Sequence, residues 1–432
     1  MLTRVQIVNF RNIATQHIGD LSVFNVFLGD NGAGKTSVLE AIHTLGHGRS
    51  FRKQGGQKDA LVSFGSDRLV VFGEQITGVG LSTPVSDQPP NTDRLGLSRL
   101  ANGDIQIKIN GAKVHRLSDM ALRLPALALN SDTFDLLTGA AAERRRYIDW
   151  AVFHVEHDFN DASKRYSLAL QQRNSIMRRI TRDLGAPAPP GESVVAAAEC
   201  HQELSIWTDS VAELGETVAG FRHKQFGLLN RLFLETLDEL GGGHMGVQLG
   251  YRCGWNRGAT LQEALKKGLA TDLSRGFTQC GPHRADVQVL VGKTVAGSAR
   301  LARDILSRGQ LKLVVLAMKL AQVRYYQYCS RPDDGAPAVR GGGRAGGGND
   351  GLRDRGLRGE TISLLLDDVS AEFDGERLRA LGRVLGSVLA SGGVQVFATT
   401  TSAPALSPLL EGLSGRYYKV FHVEHGVVSA SE

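Results

Sequence analysis

The segment Gly29-Asp30-Asn31-Gly32-Ala33-Gly34-Lys35-Thr36 constrains this chain more than any other feature. It matches G-x-x-x-x-G-K-[ST] in full, and its surroundings match the geometry that the pattern needs. Leu21 to Leu28 is apolar, with β-branched and aromatic residues, and reads as a buried strand. Val38, Leu39, Ile42 and Leu45 then recur at helical spacing. Strand, glycine-rich turn and helix let backbone N–H groups curl around phosphate oxygens at the positive end of a helix dipole. Lys35 is expected to reach the β- and γ-phosphates of ATP and to act in catalysis, and Thr36 to ligate Mg²⁺. The rest of the loop, with Ser37 after it, is expected to cradle the nucleotide. The competing reading is a turn that binds nothing. The strand, helix, lysine and threonine together argue against it.

A second segment fits the first. Thr361 to Leu366 is a continuous apolar run that ends in Asp367-Asp368. It reads as a buried parallel strand carrying two carboxylates at its C-terminal edge, where α/β sheets place ligands. Asp367 is expected to hold the Mg²⁺ water shell, and Asp368 to act as the base that polarises the attacking water. ABC-type ATPases usually carry Glu there. Asp is one methylene shorter, which predicts slow turnover. Further on, Val394 to Ala398 reads as another buried strand, followed by Thr399-Thr400-Thr401 where transporters usually carry a switch histidine.

The third segment is Leu306-Ser307-Arg308-Gly309-Gln310, the short signature that ABC-type ATPases lay against the far side of a nucleotide. Ser307 opens a helix in which Leu311, Val314, Val315, Met318 and Tyr325 follow at helical spacing. A hydroxyl with free N–H groups at a helix start can receive a γ-phosphate. Ser307, Gly309 and Gln310 are therefore candidate nucleotide contacts, although Ser is also a common helix cap. One nucleotide does not normally touch both the phosphate loop and the signature of the same chain in this fold class. The pair predicts two copies closed around ATP.

These motifs, together with Asn9-Phe10-Arg11-Asn12, Gly48-Arg49-Ser50-Phe51-Arg52, Arg144 to Trp150, Gln172-Arg173-Asn174, Gly281-Pro282-His283-Arg284 and Glu372-Phe373-Asp374, closely resemble the RecF family of bacterial recombination mediators, relatives of the SMC ATPase heads. The likeness runs nearly end to end. It implies an α/β, ABC-type ATPase head, a P-loop NTPase with a mixed sheet and an inserted, mainly α-helical lobe with a short arm. It also implies an ATP-dependent homodimer that clamps double-stranded DNA near single-strand gaps and helps RecO and RecR load RecA in replication, repair and the SOS response. Arg11 matches a nucleotide-contacting arginine of related heads. The chain departs from the family at Ser131, usually Pro, at Ala371, usually Ser, and in residues 331–360; no Q-loop glutamine is evident, since none occurs between Gln106 and Gln171. Rival readings are a transporter nucleotide-binding subunit, a nuclease-partner ATPase and a DNA-binding protein with a vestigial nucleotide site. The threonines after the last strand, the lack of an acidic metal cluster and the intact motifs count against them in turn.

The expected organisation is a first ATPase part in 1–125 and a helical lobe in 126–330. A Gly/Arg-rich insertion in 331–360 and a closing ATPase part in 361–432 follow. The strands near 247–292 are expected to return toward the ATPase body, and Gly185 to Gly191 to split a helical arm into antiparallel halves. Residues 331–360 read as a disordered surface loop or as a nucleic-acid tether. The net charge of +6 and pI near 9.2 permit nucleic-acid binding without demanding it. Candidate DNA contacts are Arg49, Arg52, Arg144, Arg145, Arg173 and Arg178, within runs that also include Lys53, Lys58, Arg146 and Arg179. No apolar leader and no run of ~18 apolar residues occur, so a cytoplasmic protein away from membranes is expected. Cys200, Cys253, Cys280 and Cys329 are dispersed, which fits a reducing compartment. The pentapeptide Phe-His-Val-Glu-His occurs at 153–157 and again at 421–425, and its spacing is not that of a helical zinc site.

Overall fold

The computed structural model describes residues 1–52, 61–77, 91–183, 192–292, 299–330, 361–413 and 418–431. The expected break at 185–191, the insertion at 331–360, Lys53 and Lys58 lie outside them. The chain divides into two compact units. One comprises 1–135, 232–244 and 307–432; the other comprises 136–231 and 245–306.

The first unit begins with an antiparallel sheet. Its strands are β1 (Leu2–Phe10), β2 (Ile13–Ile18), β4 (Arg68–Thr77), β5 (Asn91–Leu100), β6 (Ile105–Ile109) and β7 (Ala112–Val114), in the order β2-β1-β4-β5-β6-β7. Burial alternates residue by residue along β4 and β5, as it must when only one face of a sheet is covered. A second sheet has the order β15-β14-β3-β13-β12-β8. It contains β3 (Phe24–Leu28), β8 (Ala126–Leu129), β12 (Ile362–Leu366), β13 (Val394–Thr400), β14 (Lys419–Glu424) and β15 (Val427–Ala430). Here β8, β12, β13, β3 and β14 run parallel, and β15 closes an antiparallel hairpin. Every residue of β12 and β13 is buried, polar Ser363, Gln395, Thr399 and Thr400 included, as in strands covered on both faces.

Helix α1 (Lys35–His47) touches β1, β4 and β5 of one sheet and β8 and β13 of the other. Packing against both sheets explains why even its Glu40 and Thr44 are buried. Burial of each of its Val38, Leu39, Ile42 and Leu45 contributes roughly 1.5–3 kcal/mol. Besides the end of α5, the other helices of this unit among the described residues are α2 (Leu117–Arg123), α8 (Arg308–Ser330), α9 (Gly375–Ala390) and α10 (Ala403–Gly412), α5 itself running from Glu192 to Glu239. Contacts join α8 to β8 and β12, and α9 and α10 to β13.

The second unit contains α3 (Ala141–Phe153), α4 (Phe159–Asp183), most of α5 (Glu192–Glu239), α6 (Leu261–Lys267) and α7 (Leu269–Arg275). Three strands, β9 (Val247–Arg252), β10 (Asp286–Val291) and β11 (Arg300–Leu301), form a separate antiparallel sheet. Helices α4 and α5 run antiparallel. Phe159 meets the ring of Phe221, Arg173 reaches Thr208, and Arg179 pairs with Glu203, so partner numbers fall as α4 ascends.

The units differ from the expected boundaries. Strand β8 and the signature helix α8 belong to the ATPase unit, because β8 pairs in register with β12 and α8 packs on both. Strands β9 and β10 stay in the helical unit, where they pair with each other. Among the described residues, no helix is long and apolar enough to cross a membrane.

Candidate nucleotide site

Three adjacent parallel strands, β3, β13 and β12, end at one edge of the second sheet. Register carries the phosphate loop, Thr399 and the Asp367-Asp368 pair to that edge together. Gly34 is the N-cap of α1 with φ 112°, a left-handed conformation natural to glycine. A Cβ there would also lie 2.9 Å from Asn12 Nδ2, a side-chain tip that would have to shift, so it is the backbone conformation that requires glycine. No side chain caps α1 and its first turn holds no acid, which leaves its N–H groups and dipole available to an anion.

Lys35 is buried, and its Nζ donates to the carbonyls of Gly29 at 2.7 Å and Asp30 at 2.9 Å. Burial lowers its pKa, while Asp368, Asp367 and Asp30 oppose that shift. Thr36 Oγ1 donates to Asp367 Oδ1 at 2.7 Å, and Thr399 Oγ1 donates to the same oxygen at 2.9 Å. The Asp368 N–H donates to Thr399 Oγ1 at 2.8 Å. Asp368 itself has φ 50° and ψ 39°. An Asp in the left-handed region is strained, and such strain collects at functional sites. Burial raises the Asp368 pKa first, with Asp367 adding to it and Lys35 working against it.

These groups line a cleft of about 890 Å³ together with Arg11, Asn12, Arg52 and Ser131. Asn12 was not singled out as a site residue, yet it accepts from Ser37 Oγ at 2.8 Å and its amide faces the Gly32 carbonyl. Arg11 reaches the cleft from a turn at φ 54° and is fixed by a bidentate pair with Glu40 at 3.0 and 2.7 Å. Arg52, expected on DNA, is on the nucleotide cleft. The hydroxyl of Thr36 and the carboxylate of Asp367 form a hard-oxygen donor pair, which suits Mg²⁺ with its remaining positions filled by water and phosphate.

The signature is elsewhere. Ser307 caps α8 through a reciprocal pair. Its N–H donates to Gln310 Oε1 at 2.9 Å, and its Oγ accepts from the Gln310 N–H at 3.4 Å. None of Ser307, Gly309 or Gln310 lines the cleft. Five residues beyond Ser307, Lys312 pairs with Glu372, which also accepts from Ser131 Oγ at 2.7 Å. Burial pushes the Glu372 pKa up, but the bonds from Lys312 and Ser131 outweigh it and hold the carboxyl below its ordinary value. Ser131 lies on the cleft wall, so two hydrogen bonds lead from that wall to the signature helix. Sequence spacing gives no sign of this link, since its members come from three distant segments.

Two expected DNA contacts need correction. Arg173 is fully buried, bonding Asp272 at 2.9 Å, Thr278 Oγ1 at 2.6 Å and Thr208 Oγ1 at 3.0 Å. It ties α4 to α5 and α7 and cannot reach a nucleic acid. Arg144 is also buried, in a bidentate pair with Asp286 at 2.8 and 3.1 Å and a bond to the Gly139 carbonyl at 2.8 Å. Arg145 is half-buried and donates to the Ala285 carbonyl at 2.9 Å. Arg49 and Arg178 are exposed. The repeated pentapeptide ends a helix at Phe153 and forms strand β14 at Phe421. No group of three or more potential metal ligands occurs among the described residues.

Comparison with known proteins agrees with this geometry. Residues 1–332 match the RecF/RecN/SMC N-terminal domain family. The DNA replication and repair protein RecF of Teredinibacter turnerae is 30% identical over 432 residues, covering 99% of this chain and 96% of that protein. The RecF of Pseudomonas paraeruginosa is 33% identical over 429 residues, covering 99% and 97%. Among solved structures, the recombination mediator protein RecF-ATP of the RecFOR pathway superposes with a TM-score of 0.72 at 22% identity, covering 100% of this chain and 97% of that one. The Smc head domain from Pyrococcus furiosus gives 0.53 at 13% identity, covering 100% and 95%. The fold is therefore the mixed α/β ATPase head expected from the motifs. With a family match over most of its length and relatives of nearly equal extent, the chain belongs to the RecF family.

Proposed function

We propose that this protein is an ATP-gated DNA clamp of replication and recombinational repair. Lys35, Thr36 and Asp367 of one copy hold ATP and Mg²⁺, and Ser307 of a second copy completes the site. The observation that carries this reading is the division of the nucleotide machinery. The loop, the carboxylates and Thr399 share one cleft, while the signature caps a helix outside it.

The chemistry follows from the cleft. The N–H groups of the loop and α1 bind the phosphate chain, and Lys35 exchanges its two carbonyl partners for β- and γ-phosphate oxygens. Mg²⁺, when bound, offsets charge on those oxygens. Asp368 polarises a water molecule, its raised pKa making it a better proton acceptor. The water oxygen bonds to the γ-phosphorus, the bond to the bridging oxygen breaks, and the water proton passes to Asp368. ADP and phosphate leave, and the dimer opens. The shorter reach of Asp makes the step slow, which suits a timer. The closed dimer grips double-stranded DNA near single-strand gaps. It acts with RecO and RecR to load RecA, in the cytoplasm.

Solution mass by light scattering on a sizing column, with ATP, ADP or no nucleotide and with or without duplex DNA, tests this reading. The expected result is a dimer with ATP alone, strengthened by DNA. A mass indifferent to nucleotide would make Ser307 a helix cap and nothing more.

A further inference from the structure

The β14–β15 hairpin has no assigned part in the nucleotide chemistry, yet its turn touches the phosphate loop. Glu424 pairs with Val427, so His425 and Gly426 alone connect the two strands. Both have positive φ, 48° and 82°, as the type I′ turn of a two-residue hairpin requires. The ladder bonds of such a hairpin end at the Glu424–Val427 pair, which leaves the Gly426 N–H facing outward. It donates to the Ala33 carbonyl, within the phosphate loop, at 2.8 Å.

The turn is held from both sheets. Strand β14 runs parallel to β3, and the Phe421 ring stacks on Phe27 with centroids 5.2 Å apart. Gln16 of β2 donates to the Val428 carbonyl of β15 at 2.7 Å. Phe421, Val423 and Val428 are buried in the same core as the apolar face of α1. The second copy of the repeated pentapeptide thus builds the strand that carries this turn. Asn12 lies between turn and loop. Gly426 packs on its carbonyl, while its side chain bonds Ser37 and faces Gly32. A Cβ on Gly426 would stand 2.4 Å from that backbone carbonyl, so close approach as well as φ requires glycine here.

Peptide geometry gives the Gly426 bond a consequence. The Ala33–Gly34 peptide is planar and trans, so its carbonyl and its N–H point in opposite directions. Holding the carbonyl outward on Gly426 turns the Gly34 N–H into the hollow of the loop. A carbonyl that accepts a hydrogen bond also polarises the N–H of its own peptide. Gly426 itself does not line the cleft, so its effect on a nucleotide passes through this peptide.

We propose that Gly426 is a positioning residue for the nucleotide. The hairpin fixes the Ala33–Gly34 peptide so that the Gly34 N–H bonds a phosphate oxygen. The inference rests on the nucleotide reading of the cleft and adds to it a residue from outside the cleft. Equilibrium binding of a fluorescent ATP analogue to the full-length protein tests it, with unlabelled ATP and inorganic tripolyphosphate as competitors. In the key variant glycolic acid replaces Gly426, so that an ester removes the N–H and adds no Cβ. Both competitors are expected to bind about tenfold more weakly, the loss of one hydrogen bond to a charged group. Leu385→Ala, in the buried face of α9, is expected to lower the melting temperature and keep wild-type affinity. Lys35→Ala should lose affinity whatever the hairpin does. Failure of the site reading therefore shows in Lys35→Ala, and failure of this inference shows in the ester. Nuclear magnetic resonance views the Gly34 amide directly. Combining ¹³C-carbonyl alanine with ¹⁵N-glycine selects Ala–Gly peptides, of which the sequence has four, and Ala33→Ser identifies the relevant one by its loss. Its proton is expected to move downfield when ATP binds the wild type and to move less in the ester variant. Wild-type affinity for both competitors in the ester variant would overturn the proposal. So would an equal loss of affinity in Leu385→Ala, or a Gly34 amide that responds alike in the wild type and the ester.

Discussion

Lys35 and Arg173 are both buried cations, one in each unit, and their surroundings give them opposite roles. Lys35 sits on the wall of a cleft and, among the described residues, bonds only the backbone carbonyls of its own loop. Those partners are weak and can be exchanged for phosphate oxygens. Arg173 has no exposure at all and is bound to a carboxylate and two hydroxyls. Its charge is consumed in holding three helices together. Cation content therefore says little about ligand binding; the identity of the partner and access to the cation decide it.

The comparison can be broken from either side. The largest effect is expected at Lys35→Ala, where nucleotide affinity should fall by about 3 kcal/mol or more, roughly a hundredfold, with little change in unfolding. Equilibrium binding of a fluorescent ATP analogue reads this out, and near-native affinity would remove Lys35 from the site. Next, Arg173→Ala should destabilise the helical unit by about 3–5 kcal/mol, because Asp272 is left buried without its partner. A native melting transition with weakened DNA binding would instead return Arg173 to the surface.

Acid should loosen the ATPase unit by a smaller amount. Burial drives the His43 pKa down to about 4 and holds that of the stacked His47 well below 6.5. In the folded state both stay neutral, whereas in the unfolded chain they take up protons below about pH 6.5. Stability is therefore fully present above that pH and is lost as pH falls toward 4. His43 alone accounts for about 2 kcal/mol between pH 7 and pH 5. Urea unfolding at the two values checks this, with His43→Gln expected to reduce the difference; a pH-independent midpoint would contradict it. His283, also near pKa 4 through burial, gives the helical unit a response of the same sign. The smallest effect belongs to Arg178→Gln. Among the described residues, this exposed side chain donates only to the Asn174 carbonyl of its own helix. Stability should change by less than about 0.5 kcal/mol, and any loss in duplex affinity would then report direct contact.

What was legible in the sequence follows the same division. The phosphate loop could be read because glycines, lysine and threonine are fixed by local backbone geometry. The carboxylate strand could be read because a strand buried on both faces leaves an unbroken apolar run. The buried arginines could not, because Asp272 and Asp286 lie about a hundred residues or more away from their partners. The placement of β8 was hidden for the same reason, since its neighbour β12 is more than two hundred residues distant. The repeated pentapeptide makes the point within one chain. The same five residues end a helix at Phe153 and build a strand at Phe421, so tertiary packing outweighs local preference.

The central claim is that one nucleotide is held by two chains. Mixing Lys35→Ala with Ser307→Arg tests it most directly. Each variant alone should lack ATP turnover, because each homodimer has both composite sites damaged. In the mixed dimer, one site unites an intact loop with an intact Ser307, so turnover should reappear on mixing. If the mixture stays as inactive as its components, or if Ser307→Arg alone turns over ATP normally, the shared site is wrong.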